Sequence, residues 1–157
     1  IRSIEHGIFL DDEAIGMMLD RGTWLVPTLI APVWVLEAVV HGAALSEASI
    51  RKARDVIQIH ADAVRRAVEA GVKVAMGTDA GVGPHGDNLR ELGLMQQAGM
   101  TPTQVLRSAT QEAARLLGVD DRLGKVADLV VVAGDATDFD GIGRRVEQVW
   151  LDGERRV

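Results

Sequence analysis

The chain has 157 residues, a net charge of −6, no cysteine and an apolar fraction of 47%. Without cysteine there is neither a disulfide framework nor a thiolate metal site, and the acidic balance, lacking a long basic run, argues against nucleic acid or an anionic membrane as the main partner. No stretch approaches the ~18 uninterrupted apolar residues of a transmembrane helix, and the length suits a domain with a substantial core. The opening "IRSIEHG" has neither a start methionine nor a signal-peptide pattern. The expectation is a piece of a longer chain, soluble and cytoplasmic.

"RSIEHG" reads as a short strand over 2–6 that stops at Gly7. In "DDEAIGMMLDRG", Asp11 suits an N-cap and acids fill the first turn, where the helix dipole favours them. Ile15, Met18 and Leu19 keep helical spacing, and Gly22 suits the position just past the helix. "TWLVPTLI" follows as a strand over 23–30, although Pro27 cannot donate to a ladder and belongs at a strand end. Pro32 then opens a short helix over 33–40, which "HGA" breaks. Ser46 caps a long helix with an apolar stripe of Ile50, Ala53, Ile57, Ala61, Val64 and Val68, ending at Gly71.

"VKVAMGTDA" is the third strand, over 72–78, and a helix follows over 88–98. "TPTQVLRSATQEAARLLG" has a Thr101 cap, Pro102 at the first helical position, Gln104 completing a capping box and a terminal Gly118. Three strands separated by helices, with very short helix-to-strand turns, predict parallel βα units. "ADLVVVAG" and "VEQVWLDG" are strands with no helix between them, and belong to a separate β-rich element.

Function in a parallel α/β sheet gathers at the carboxyl ends of its strands. His6 and Asp79 stand there. Strand alternation places Lys73, Ala75, Gly77 and Asp79 on one face, where Ala75 and Gly77 leave open volume beneath the acid. Imidazole and carboxylate ligate zinc and related divalent ions. Each residue also has a plain structural reading: His6 as a hydrogen-bonded strand-end histidine, Asp79 as a turn residue or helix cap. His60 on the long helix reads as a partly buried packing residue. His41 reads as a helix-end histidine or, alternatively, as lining the loop after the second strand. His85, in the loop after Asp79, is a substrate contact or a solvated loop residue; Asn88 contacts substrate or caps the next helix. Glu91 is read as a surface partner for Arg or Lys.

Together, "SIEHG", "GVKVAMGTDAG" with "HGDNLREL", the helices from Thr101 to Gly118, and "GKVADLVVVAGD" with "VEQVWLDGERRV" resemble the amidohydrolase superfamily, in particular its imidazolonepropionase-like and Xaa-Pro dipeptidase-like members. The resemblance implies an α/β chain: the C-terminal part of a (β/α)8 barrel, strands six to eight, over 1–118, with closing strands of a small β-sandwich over 119–157. It implies a metal-dependent hydrolase of amide or related C–N bonds, using one or two divalent ions such as zinc. His6 and Asp79 are then metal ligands, Asp79 is the catalytic proton carrier, and His85 and Asn88 bind substrate. The implied substrate is a dipeptide or N-acyl amino acid; a cyclic-amide hydrolase or deaminase is the alternative, and a non-catalytic packing module is the alternative of another class. The family's first-strand HxH pair, fourth-strand lysine and fifth-strand histidine are absent from these residues, so activity is expected to require a further N-terminal half. Contact with that half, or self-association, is expected to cover an exposed strand edge and apolar inner face. "DDRLGKVADL" is shorter than the family's usual connection, which carries a Pro-Gly turn before the lysine.

Overall fold

A computed structural model describes residues 1–122, 124 and 126–157 and contains two three-stranded sheets. In chain order the first part runs β1 (Ser3–Glu5), α1 (Asp12–Arg21), β2 (Trp24–Val26), α2 (Ile30–Val40), α3 (Glu47–Ala70), β3 (Lys73–Val74), α4 (Arg90–Gln97), α5 (Pro102–Arg107) and α6 (Ala113–Leu117). The order β1-β2-β3 is parallel throughout, with Ser3 opposite Trp24 and Trp24 opposite Lys73.

Local signals set the helix ends. Asp11 accepts the Ala14 N–H at 2.8 Å, and the Ser46 hydroxyl accepts that of Ser49 at 3.1 Å. The Thr101–Gln104 capping box is complete, and Gly22 and Gly71 end their helices in the left-handed region. The strands are shorter than their sequence spans because backbone pairing is redirected. Proline at 27 cannot donate, so β2 stops at Val26 and α2 begins at Ile30 rather than 33, with Pro32 in its first turn, where N–H groups lack helical partners anyway. On β3, the Ala75 N–H still reaches Leu25 O at 3.0 Å, but that of Met76 turns to Ser108 O at 3.0 Å.

Ser108 belongs to a π-helical turn, Ser108–Glu112, which interrupts what the sequence reads as one helix from Pro102 to Leu117. Two hydroxyls there compete with the helical ladder: Ser108 donates to Val105 O and Thr110 to Leu106 O, each at 2.7 Å. The wider turn lets the Ser108 carbonyl serve as a partner for β3.

The main core joins Leu25, Val72 and Val74 to Ile15 and Met18 of α1, Val64 and Ala67 of α3, and Leu92 and Met95 of α4. The buried stripe of α3 is Ala53, Val56, His60, Ala63, Val64 and Ala67, rotated from the predicted one, with Ile57 and Val68 at its margin. The rotation follows from His60, which is 1% exposed and lies on the buried face. On the other face of the sheet, Trp24, Val26 and Ala75 are buried, with Ala113 and Leu116 of α6 packed against them.

The second sheet is antiparallel: β4 (Leu129–Val132), β5 (Val146–Leu151) and β6 (Glu154–Arg155). The third strand, not foreseen, is produced by Asp152 and Gly153, both at positive φ, the two-residue turn that reverses a hairpin. Phe139 and Ile142, between β4 and β5, are buried in the main core and tie this sheet to α4. In the "DDRLGKVADL" connection, expected to be shorter than the family's, Leu123 and Lys125 lie outside the described residues. No helix among the described residues is long and apolar enough to cross a membrane.

Gly77 does not leave open volume. A Cβ there would overlap Val26 Cγ1 and lie 3.6 Å from Thr28 Cγ2. Gly77→Ala should therefore destabilise the protein by about 1–3 kcal/mol, the usual range for overpacking. Val26→Ala in the same chain should recover part of that loss, as read by denaturant midpoints.

Candidate active site

Three non-glycine residues near the carboxyl ends of the first sheet hold the left-handed conformation: His6 at φ 63, Thr28 at φ 54 and Asp79 at φ 54. Such backbones cost about 1–3 kcal/mol each and persist only where their surroundings over-determine them. Each follows a different parallel strand, with Thr28 after the middle one.

The His6 backbone is fixed on both sides. Its N–H donates to Val26 O at 2.8 Å, and its carbonyl accepts His60 Nε2–H at 2.8 Å. Burial pushes the His60 imidazole below the ordinary histidine range, so it serves as a neutral donor. His60 is thus a buried prop beneath His6, more enclosed than the partly buried packing residue read from the sequence. Gly7, at φ 66, completes the corner: a Cβ there would meet Leu25 Cδ1 at 2.7 Å. The imidazole Nδ1 of His6 lies 2.5 Å from the Thr28 hydroxyl.

Asp79 is exposed, and its carbonyl accepts the Val82 N–H at 3.1 Å as the chain turns. Because β2 separates β1 from β3, the backbones at the two outer strand ends are roughly two strand spacings, ~10 Å, apart. His85 is exposed in the following loop, and Asn88 is half-buried. The Asn88 side chain does not cap α4; the main-chain carbonyl of Asn88 accepts the Glu91 N–H instead. His41 is the exposed C-cap of α2. Among the described residues, no three His, Asp or Glu side chains cluster to hold a metal.

The loop between Asp79 and α4 is docked on Trp34 of α2. The backbone at Gly83 lies so close to the indole that a Cβ would overlap the ring, and the indole N–H donates to Asp87 Oδ2 at 3.0 Å. Arg90 binds the same Asp87 oxygen at 2.7 Å and forks onto both oxygens of Glu37 at 2.9 and 2.5 Å. Burial raises the Asp87 carboxyl, but the bonds from Trp34 and Arg90 outweigh it and hold it below the usual range.

Glu91 is not a surface partner. It is 0% exposed, and its two oxygens accept the N–H groups of Leu29 and Ile30 at 2.9 and 2.8 Å. It therefore supplies the cap that α2 lacks locally, fixing the corner that presents Thr28. Burial pushes its carboxyl up to about 8 against the pull of those two bonds.

A model of the amidohydrolase family matches residues 1–156. The chain belongs to the amidohydrolase family. An uncharacterized protein of Mycobacterium tuberculosis is 37% identical over 98% of this amidohydrolase chain and 42% of its own length. The crystal structure of a Xaa-Pro dipeptidase with methionine bound in its active site is 39% identical at a TM-score of 0.88, covering 99% of this chain and 39% of that one. A prolidase complexed with N-methylphosphonate-L-proline is 28% identical at a TM-score of 0.86, covering 99% and 40%. The chain thus spans about two-fifths of the length of these relatives, and the α/β fold follows theirs over nearly all of it.

Sequence reasoning about this amidohydrolase chain missed Thr28, Trp34 and Glu91. For Glu91 a signal existed: it shares helical spacing with the buried Met95 and Ala98. For Thr28 the signal was Pro27, which ends the strand one residue before it.

The raised Glu91 carboxyl predicts a pH dependence. Because its folded pKa exceeds the ordinary value of 4.5, its contribution to stability is fully present below about 4.5 and is lost as the pH rises through about 8. Glu91→Gln removes that slope. It also sets an amide N–H₂ against a backbone donor, so the variant should be about 1–3 kcal/mol less stable at acid pH. Urea midpoints of the full-length protein across this pH range measure both effects.

Proposed function

We propose that the protein containing this chain is a metal-dependent hydrolase that cleaves the C–N bond of a dipeptide or N-acyl amino acid. The observation that carries this reading is the likeness over 99% of the chain to a Xaa-Pro dipeptidase with 39% identity. The likeness to a prolidase complexed with N-methylphosphonate-L-proline agrees with it. On this reading β1, β2 and β3 are strands six to eight of a (β/α)8 barrel, and residues 119–157 contribute to a small β-sandwich.

His6 and Asp79 would hold a divalent ion such as zinc. Their chemistry fits: one imidazole nitrogen is engaged by Thr28 while the other edge remains, and Asp79 presents an exposed carboxylate at the same end of the sheet. To serve one centre their side chains must lean together across β2, to within roughly 7 Å of each other. When bound, such an ion lowers the pKa of water toward ~7 and polarises the substrate carbonyl. The remaining ligands would come from chain beyond these residues.

Asp79 accepts a proton from the attacking water as its oxygen bonds to the carbonyl carbon. It then delivers that proton to the nitrogen as the C–N bond breaks, so the amine leaves neutral. An amide at this position could neither take nor return the proton. His85 and Asn88, on the loop docked at Trp34, would contact the acyl or amino-acid portion of the substrate.

Asp79→Asn in the full-length, metal-replete protein should lower turnover on Xaa-Pro dipeptides by at least ~10²-fold, the scale of losing a general base, with a smaller change in KM. His6→Ala should also lose activity, but added zinc should restore part of it, whereas zinc should not restore Asp79→Asn. Near-normal turnover of Asp79→Asn would remove the proton-carrying role. Hydrolysis of cyclic amides, with none of dipeptides or N-acyl amino acids, would reassign the substrate class.

A further inference from the structure

We infer that Thr28 is a positioning residue that sets the orientation of the His6 imidazole, accepting Nδ1–H so that Nε2 carries the lone pair for a metal ion. The inference rests on the proposed role of His6 as a ligand and adds to it the residue that makes that role specific.

Four observations converge on Thr28. Its hydroxyl is 2.5 Å from His6 Nδ1. It is 4% exposed, so little solvent competes for that bond. Its side chain is oriented from the opposite side as well: Cγ2 lies 3.6 Å from the position a Cβ would take at Gly77, by β3, while Oγ1 faces His6, at the end of β1. Lastly, its backbone sits at φ 54, a conformation that β-branched residues adopt only as outliers.

The strain is informative because the corner is held by other means. Pro27 fixes the preceding dihedral, Ala31 N–H returns to Thr28 O at 3.2 Å, and Glu91 takes the N–H groups of Leu29 and Ile30. Glycine would satisfy such a backbone without cost, as it does elsewhere in the chain. A threonine here gains a hydroxyl at the one point from which it can reach His6. The His6 main chain is already fixed by Val26 and His60, so rotation of its ring is the freedom that remains, and Thr28 removes it. A hydrogen bond to the non-ligating nitrogen fixes both the tautomer and the orientation of a metal-binding histidine, and loss of such a partner lowers metal affinity by about 10- to 100-fold.

The test uses the full-length protein stripped of metal and titrated with zinc against a chromophoric chelator. Thr28→Val keeps the shape and removes the hydroxyl; Thr28→Ser keeps the hydroxyl and removes the methyl. Zinc affinity should fall about 10- to 100-fold in Thr28→Val and stay within about threefold of the parent in Thr28→Ser. Equal affinities in all three proteins, or an equal fall in both variants, would overturn the inference, since a merely structural role does not distinguish the hydroxyl from the methyl. His6→Ala separates the two levels: if it leaves zinc affinity unchanged, the ligand role of His6 fails and the inference with it. If His6→Ala weakens zinc while Thr28→Val does not, only the inference fails. Should Thr28→Val lack folded circular dichroism, Thr28→Ala carries the same comparison.

Discussion

The buried carboxyl group of Glu91 against the first two N–H groups of the α2 region is the interaction on which the candidate site depends. The helix has no side-chain cap of its own, and the corner before it combines a proline with a threonine in the left-handed region. Without an outside acceptor, two backbone donors would be buried unpaired, each a loss comparable to a hydrogen bond. By supplying both oxygens from α4, Glu91 joins the segment after β3 to the segment after β2. The ends of these two strands are thereby fixed to each other, although no strand pairing extends that far. The energetic compromise is visible in the carboxyl group itself, which burial raises to about 8 while its two donors favour the charged form.

The same constraint explains the placement of polar groups around β2. The middle strand carries no ligand candidate, yet its end supplies the hydroxyl against His6 and the methyl against Gly77. The outer strands carry His6 and Asp79. Glycine at 77 permits the side chains of Val26 and Thr28 to lean toward β3, so a small residue admits a neighbour rather than opening a cavity. The π turn has a comparable function at the sheet's edge, because the Ser108 carbonyl takes the Met76 N–H where β2 no longer pairs.

What was legible in the sequence was local. Asp11, Ser46 and Thr101 signal helix starts through atoms three residues away, and each acts as a cap. His6 and Asp79 were legible as strand-end polar residues through motif order. What was not legible depends on partners far along the chain. Thr28 meets its partner 22 residues upstream, and Glu91 caps a helix 61 and 62 residues before it. A glutamate in a charged segment reads as a surface residue until the fold brings two unpaired donors to it. The stripe of α3 was misplaced for the same reason: counting apolar residues omits His60, whose Nε2–H finds a buried acceptor in the His6 carbonyl. The π turn had a local signal in the two hydroxyls at 108 and 110, but helix propensity favours one unbroken helix.

The docking of the Gly83 backbone on the Trp34 indole gives the protein a built-in optical reporter. The chain has three tryptophans and no tyrosine, and Trp34 is the one whose ring face and N–H both belong to the loop that follows Asp79. Its emission therefore responds to the distance between that loop and α2, and to whether the Asp87 carboxylate remains against the indole nitrogen. Lifting the loop admits water to a ring that is otherwise 3% exposed. Ligand-induced movement of the segment carrying His85 would appear as a change in wavelength and intensity, without an attached label.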